Sequence, residues 1–178
     1  MKKNIILMAF LLLTAGMVGC SSSSSSDSSD GSGGSGGGGT LVAGDLTGTW
    51  SGCQNDGEGG YLGVTVTITS SNIDLAITAY QGANCTGTIN DSGSETLSYT
   101  LSGSCTLDGA VAGITSGTAL DTTVITSDFN PQGETTYDCI AVSGNNLYVG
   151  DDTADPARDA SAPDKRPETL DDTPFVKQ

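Results

Sequence analysis

The stretch "YLGVTVTITSSNIDLAITAY", residues 61–80, decides the fold. Leu62, Val64, Val66 and Ile68 fall on one face, with Thr65, Thr67 and Thr69 on the other. After Ser70-Ser71-Asn72 the pattern repeats: Ile73, Leu75, Ile77 and Ala79 share a face, opposite Asp74, Thr78 and Tyr80. Successive side chains of a strand point to opposite faces, so alternation of apolar and polar residues describes a half-buried strand. Two such runs joined by a short polar segment predict a β-hairpin.

The same period extends in both directions. "LTGTWSGC" precedes the hairpin, and "CTGTIND", "ETLSYTLSG", "GTALDTTVITSDF", "TTYDCIAVSG" and "NLYVG" follow it, the last two separated by a turn at Gly144-Asn145. About eight strands result. No window of 3.6-residue periodicity exceeds a turn or two, and one-sided strands belong to antiparallel sheets with a wet face. The expectation is all-β: a small antiparallel up-and-down barrel, with a β-sandwich as the alternative. A barrel leaves no open edge, which suits a chain rich in Thr and Val. Aromatic residues make up only 5% of the sequence, so the core is small and aliphatic. This barrel domain is placed at residues 40–150. Residues 151–178 hold four of the five prolines, have no period, and read as an irregular tail whose Phe175 and Val176 could pin its end to the barrel.

The N-terminus has a different character. Met1-Lys2-Lys3-Asn4 is basic and Ile5 to Val18 is apolar, the order of a secretory signal peptide. The run falls short of the ~20 residues of a membrane span. Residues 21–39 contain only Ser, Gly and Asp, which cannot offset ordering entropy and predict a disordered tether reaching about 25 Å. Between the two segments lies Met17-Val18-Gly19-Cys20, which resembles the lipobox of bacterial lipoproteins. That resemblance implies removal of residues 1–19 and lipidation of Cys20, which would begin a tether at residues 20–39. It also implies attachment to a membrane through several acyl chains, since one chain anchors only marginally. Ser21 after the cysteine points, within that family, to the outer membrane; the periplasmic and exterior faces both stay open.

Charge and cysteine usage narrow the remainder. No Lys or Arg occurs between Lys3 and Arg158, and removal of Lys2 and Lys3 would take the net charge from −15 to −17. Such a surface repels phosphate backbones and excludes nucleic acid as a partner. Cys53, Cys85, Cys105 and Cys139 remain after Cys20. An even set in an exported domain reads as two disulfides with three connectivities. The pairing taken is Cys53–Cys85 with Cys105–Cys139, each closing a loop of just over thirty residues.

Catalytic chemistry finds little support. There is no His to act as a base, and beyond the signal the only Lys residues are Lys165 and Lys177. No carboxylate pair stands out as a glycosidase dyad. The acidic loops "NDGEGG" (residues 55–60) and "GDDTAD" (residues 150–155) offer oxygen ligands, but neither follows the order of a calcium loop, and solvated loop acids are the better reading. Asn84-Cys85-Thr86 has only the form of a glycosylation sequon. The expectation is a non-enzyme with no cofactor and no metal.

Two family resemblances bear on the domain. Gly48-Thr49-Trp50 is similar to the G-x-W of lipocalins, which implies that Trp50 closes one barrel end against an arginine, here Arg158 or Arg166; the lipocalin T-D-Y signature is absent. The set "GTWSGC", "AYQGANCTGT", "GNNLYVGD" and "RPETLD" resembles a group of uncharacterised bacterial lipoproteins. It supports the Cys53–Cys85 pairing and a lipocalin-like barrel, and implies no activity. Two functions follow as expectations: an envelope or surface interaction protein working through its outer face, or a binder of a small apolar ligand inside the barrel.

Overall fold

The computed structural model describes residues 40–55 and 59–178. The signal segment, Cys20 and the tether lie outside them, as does the centre of "NDGEGG". A single helical turn, α1 (Ala43–Leu46), leads into β1 (Gly48–Asn55), β2 (Tyr61–Ile68), β3 (Asn72–Gly82), β4 (Thr86–Val111), β5 (Ile114–Ser127), β6 (Thr135–Ser143), β7 (Asn146–Tyr148) and, after a long irregular stretch with one 3-10 turn at Pro163–Lys165, β8 (Phe175–Lys177). Every neighbouring pair is antiparallel, in sequence order, and β8 returns to β1, so the sheet closes in a ring. The sandwich alternative is thereby excluded.

Residues 61–80 form the expected hairpin, with Val64 opposite Ile77 and Val66 opposite Leu75. Thr69 closes its turn, accepting the Asn72 amide on Oγ1 at 3.0 Å and donating its own amide to the Asn72 carbonyl at 2.9 Å. The β6–β7 turn is a two-residue loop whose first position, Gly144, has φ 60°, the backbone a type II′ hairpin turn requires.

The strand inventory differs from the sequence reading in two places. "CTGTIND" and "ETLSYTLSG" are not separate strands: both belong to the 26-residue β4. The junction Asp91-Ser92-Gly93-Ser94 has the composition of a turn, yet it stays extended because it remains in register with β3, Asp91 opposite Ala79 and Gly93 opposite Ile77. The eighth strand comes instead from the tail. Phe175–Lys177 pairs with β1 on one side and β7 on the other, so the boundary at residue 150 does not separate barrel from tail. Three residues carry too little pattern to be read as a strand, and their pairing is set by the gap that the rest of the barrel leaves.

Inside the ring, Trp50, Val66, Ile68, Ile73, Leu97, Leu120, Val124, Ile140, Leu147 and Phe175 pack as one apolar cluster, with Leu46 of α1 at its end. Every strand contributes to it. Gly52 leaves room for the Phe175 ring, since a Cβ there would lie 2.8 Å from it. A second cluster, Leu62, Ile77 and Ala79 with Phe129, continues the filling beside Val64 and Leu75. A third lies on the outer face: Cys139, Ala141 and Tyr148 alternate with inward Ile140, Val142 and Leu147, and Leu170 of the tail packs over them.

Candidate functional site

Three places gather the side chains that could carry function. The first is the end of the barrel at Trp50. This indole is fully buried and donates from Nε1 to the Leu46 carbonyl at 2.8 Å, so α1 and β1 are locked together. The cation above its ring is Lys177, with Nζ 4.9 Å from the centroid. The expected arginine partner is therefore replaced: closure of the ring by β8 brings Lys177 opposite Trp50 in register. Arg158 instead pairs with Glu168 at 2.5 Å and donates to the Asp164 carbonyl at 2.7 Å, within the tail itself.

Arg166 builds the second place, where tail meets barrel wall. Its Nη1 donates to the carbonyls of Leu120 (3.0 Å) and Asp138 (2.8 Å), and its Nη2 to Ser102 Oγ (3.3 Å) and to the Asp121 carboxylate. The guanidinium also lies over the Tyr137 ring, 5.4 Å from its centroid. The reason is topological. Strand β7 pairs only with residues 141–143 of β6, so the amides of the preceding β6 residues need other acceptors. Tyr137 donates to the Ala160 carbonyl of the tail at 2.9 Å. The carboxylate of Asp138 accepts on Oδ1 from the Cys139 amide (2.6 Å) and from the Gly150 amide (3.0 Å). Burial pushes the Asp138 carboxyl up to about 7, against those two amide bonds; neighbouring Asp152 adds to the rise and Arg166 opposes it. Asp152 is itself raised to about 6, by burial first and then by Asp151 and Asp159. Asp138 was not singled out in the sequence, where it is one acid among many; only its position next to Cys139 on an apolar strand hints at burial.

The third place is the inner end of the barrel opposite Trp50. Gln54 shares a face with Leu62, and its buried Nε2 has no hydrogen-bond partner among the described residues. Buried Glu95, opposite inward Leu75, accepts from Asn130 Nδ2 at 2.9 Å. Phe129 and Asn130 hang over this end from the β5–β6 loop, both amides held by Ser127 Oγ at 2.9 Å.

The cysteines pair as Cys53–Cys85 and Cys105–Cys139, with Cα separations of 5.8 and 6.0 Å. Both are structural ties on the outer surface and neither offers a free thiol. Among the described residues, no three His, Cys, Asp or Glu side chains converge where they could hold a metal ion. Asp151, Ala154 and Asp155 instead line a shallow hollow of about 70 Å³ with Asp108, Arg158 and Glu168.

Compared with known proteins, the chain matches no family model, no curated protein and no solved structure.

Proposed function

We propose that this chain is a lipid-anchored envelope protein whose β-domain is non-catalytic and works through its outer surface. The observation that carries the reading is the continuous apolar cluster to which all eight strands contribute, which occupies the space a lumenal ligand would need. The lipobox-like Met17-Val18-Gly19-Cys20, with the Ser/Gly tether after it, supports attachment through Cys20 to the outer membrane. The uniformly acidic surface from residue 40 to 157 favours protein or small cationic partners over polyanions.

One observation favours the second reading, a binder of a small apolar ligand. The Gln54 amide at the inner end of the barrel, unpartnered among the described residues, is the kind of polar group that orients a ligand in an apolar site. Native mass spectrometry of protein purified from its own membranes separates the two. Mass beyond the acyl chains that disappears in Gln54→Leu assigns a lumenal binder; its absence supports the outer-surface reading. Labelled palmitate tests the anchor, with incorporation expected in the parent chain and lost in Cys20→Ser.

A further inference from the structure

The tail crosses the breach that short β7 and β8 leave in the barrel wall, held there by a series of polar connections above an apolar contact of Leu170. The Asp151 amide donates to the Thr169 carbonyl and the Asp171 amide to Val149, both at 2.8 Å, while Gly150 and Leu170 form a bridge. Arg166 binds two wall carbonyls, and Asp138 takes the Gly150 amide. Beneath this strap lies the apolar outer cluster of Leu107, Ile114, Ala141 and Tyr148, which Leu170 covers.

We propose that residues 150–171 form a pH-operated latch, in which ionisation of Asp138 and Asp152 loosens the strap and uncovers this apolar face. The charged groups around the joint set the direction. From the tail side Asp138 faces Asp152, whose own neighbours are Asp151 and Asp159, and Arg166. From the β5 side comes only Asp121, which already occupies Arg166. Two carboxylates ionised here share one cation that is spoken for, whereas the opened strap hydrates both. A neutral Asp138 keeps Oδ1 as an acceptor for Cys139 and Gly150 and carries no such penalty.

The sign follows from proton linkage. The docked carboxyl binds its proton more tightly than a hydrated one, so docking is strongest in acid. It weakens as pH rises from the ordinary carboxyl range near 4, and levels off above about 7, where both states are ionised. Each proton released makes opening about tenfold more favourable per pH unit across that window.

Hydrogen exchange on the full chain between pH 5 and 7.5, corrected for the intrinsic pH dependence of exchange, tests this. The amides of Tyr137, Gly150, Asp151 and Asp171 are expected to lose protection at least about tenfold from pH 5 to 7, while those of β2 and β3 hold. Asp138→Asn, which imitates the protonated acid, is expected to remove the larger part of the response and leave only the part that Asp152 supplies. Asp152→Asn is expected to shrink the response, and it decides the matter with the parent profile if Asp138→Asn does not fold. Strap protection that is independent of pH in the parent, or a response unchanged in the variants, overturns the latch.

Discussion

A Cβ on Gly117 would lie 2.7 Å from the Sγ of Cys139. Strand β5 runs between β4 and β6, so the Cys105–Cys139 bridge must pass over it, and it does so at Gly117, with Cys105 Sγ 3.0 Å from the same point. The other disulfide repeats the device. Cys53 is paired opposite Gly63, and Cys85 Sγ would lie 3.6 Å from a Cβ there. Gly117→Ala is therefore expected to strain or prevent the second bridge. Loss of a disulfide closing such a loop costs about 3–4 kcal/mol, on the chain-entropy account. Thiol counting and urea denaturation check this: an alanine variant with an intact bridge and the parental midpoint would refute the steric argument.

Lys177 over Trp50 is the contact by which the last strand closes the ring. Desolvated cation–π pairs contribute about 2 kcal/mol and exposed ones about 0.5–1. Lys177→Gln is expected to destabilise by about 1 kcal/mol and to shift the fluorescence of Trp50, the only tryptophan in the chain. Arg158→Gln is expected to leave that emission unchanged, because Arg158 engages Glu168 within the tail. Equal spectral effects from the two substitutions would return the closing role to arginine.

The barrel was legible because its signal is local. Alternation in residues 61–80 assigns inward and outward faces residue by residue, and Val66, Ile68, Ile73 and Ile77 are buried as that pattern requires. The disulfides were legible for a related reason, since four cysteines allow only three pairings. The sites were not. The burial of Asp138 depends on where β7 stops and where the tail returns, and the partner of Trp50 depends on a three-residue strand more than a hundred positions away. Both are properties of ring closure, which no window of sequence contains.

Arg166 holds the tail by geometry as much as by charge. Its planar fork reaches two carbonyls, a hydroxyl and the Asp121 carboxylate at once, and only 13% of the side chain is exposed. Lysine has the charge without the fork. Arg166→Lys is thus expected to recover little of the stability lost in Arg166→Ala, which should be about 3 kcal/mol because Asp121 is left without its cation. Denaturant midpoints for both variants check it; full rescue by lysine would mean that charge alone docks the tail.

The long β4 outruns its neighbour. Its last pair with β5 is Glu95 opposite Ser127, so among the described residues its segment 86–93 pairs only with β3 and has an open edge. Open edges invite pairing with another chain, and folds blunt them with charge and bulges. Two carboxylates serve that purpose here. Asp128 Oδ2 accepts the Ser94 amide at 2.7 Å while the Asp128 amide donates back to Ser94, and Asp91 Oδ1 accepts the Ser92 amide at 2.9 Å. A register shift between Ala79 and Tyr80 interrupts the ladder just beyond. Replacing both acids, Asp91→Ala with Asp128→Ala, frees two amides on one side of the strand and removes two charges that repel a like-charged copy. The double variant is expected to associate through this edge as concentration rises, read by light scattering on a sizing column. Adding Ser92→Pro, which removes one of the freed amides, is expected to reverse the association. Association that persists with the proline would place the contact elsewhere on the barrel.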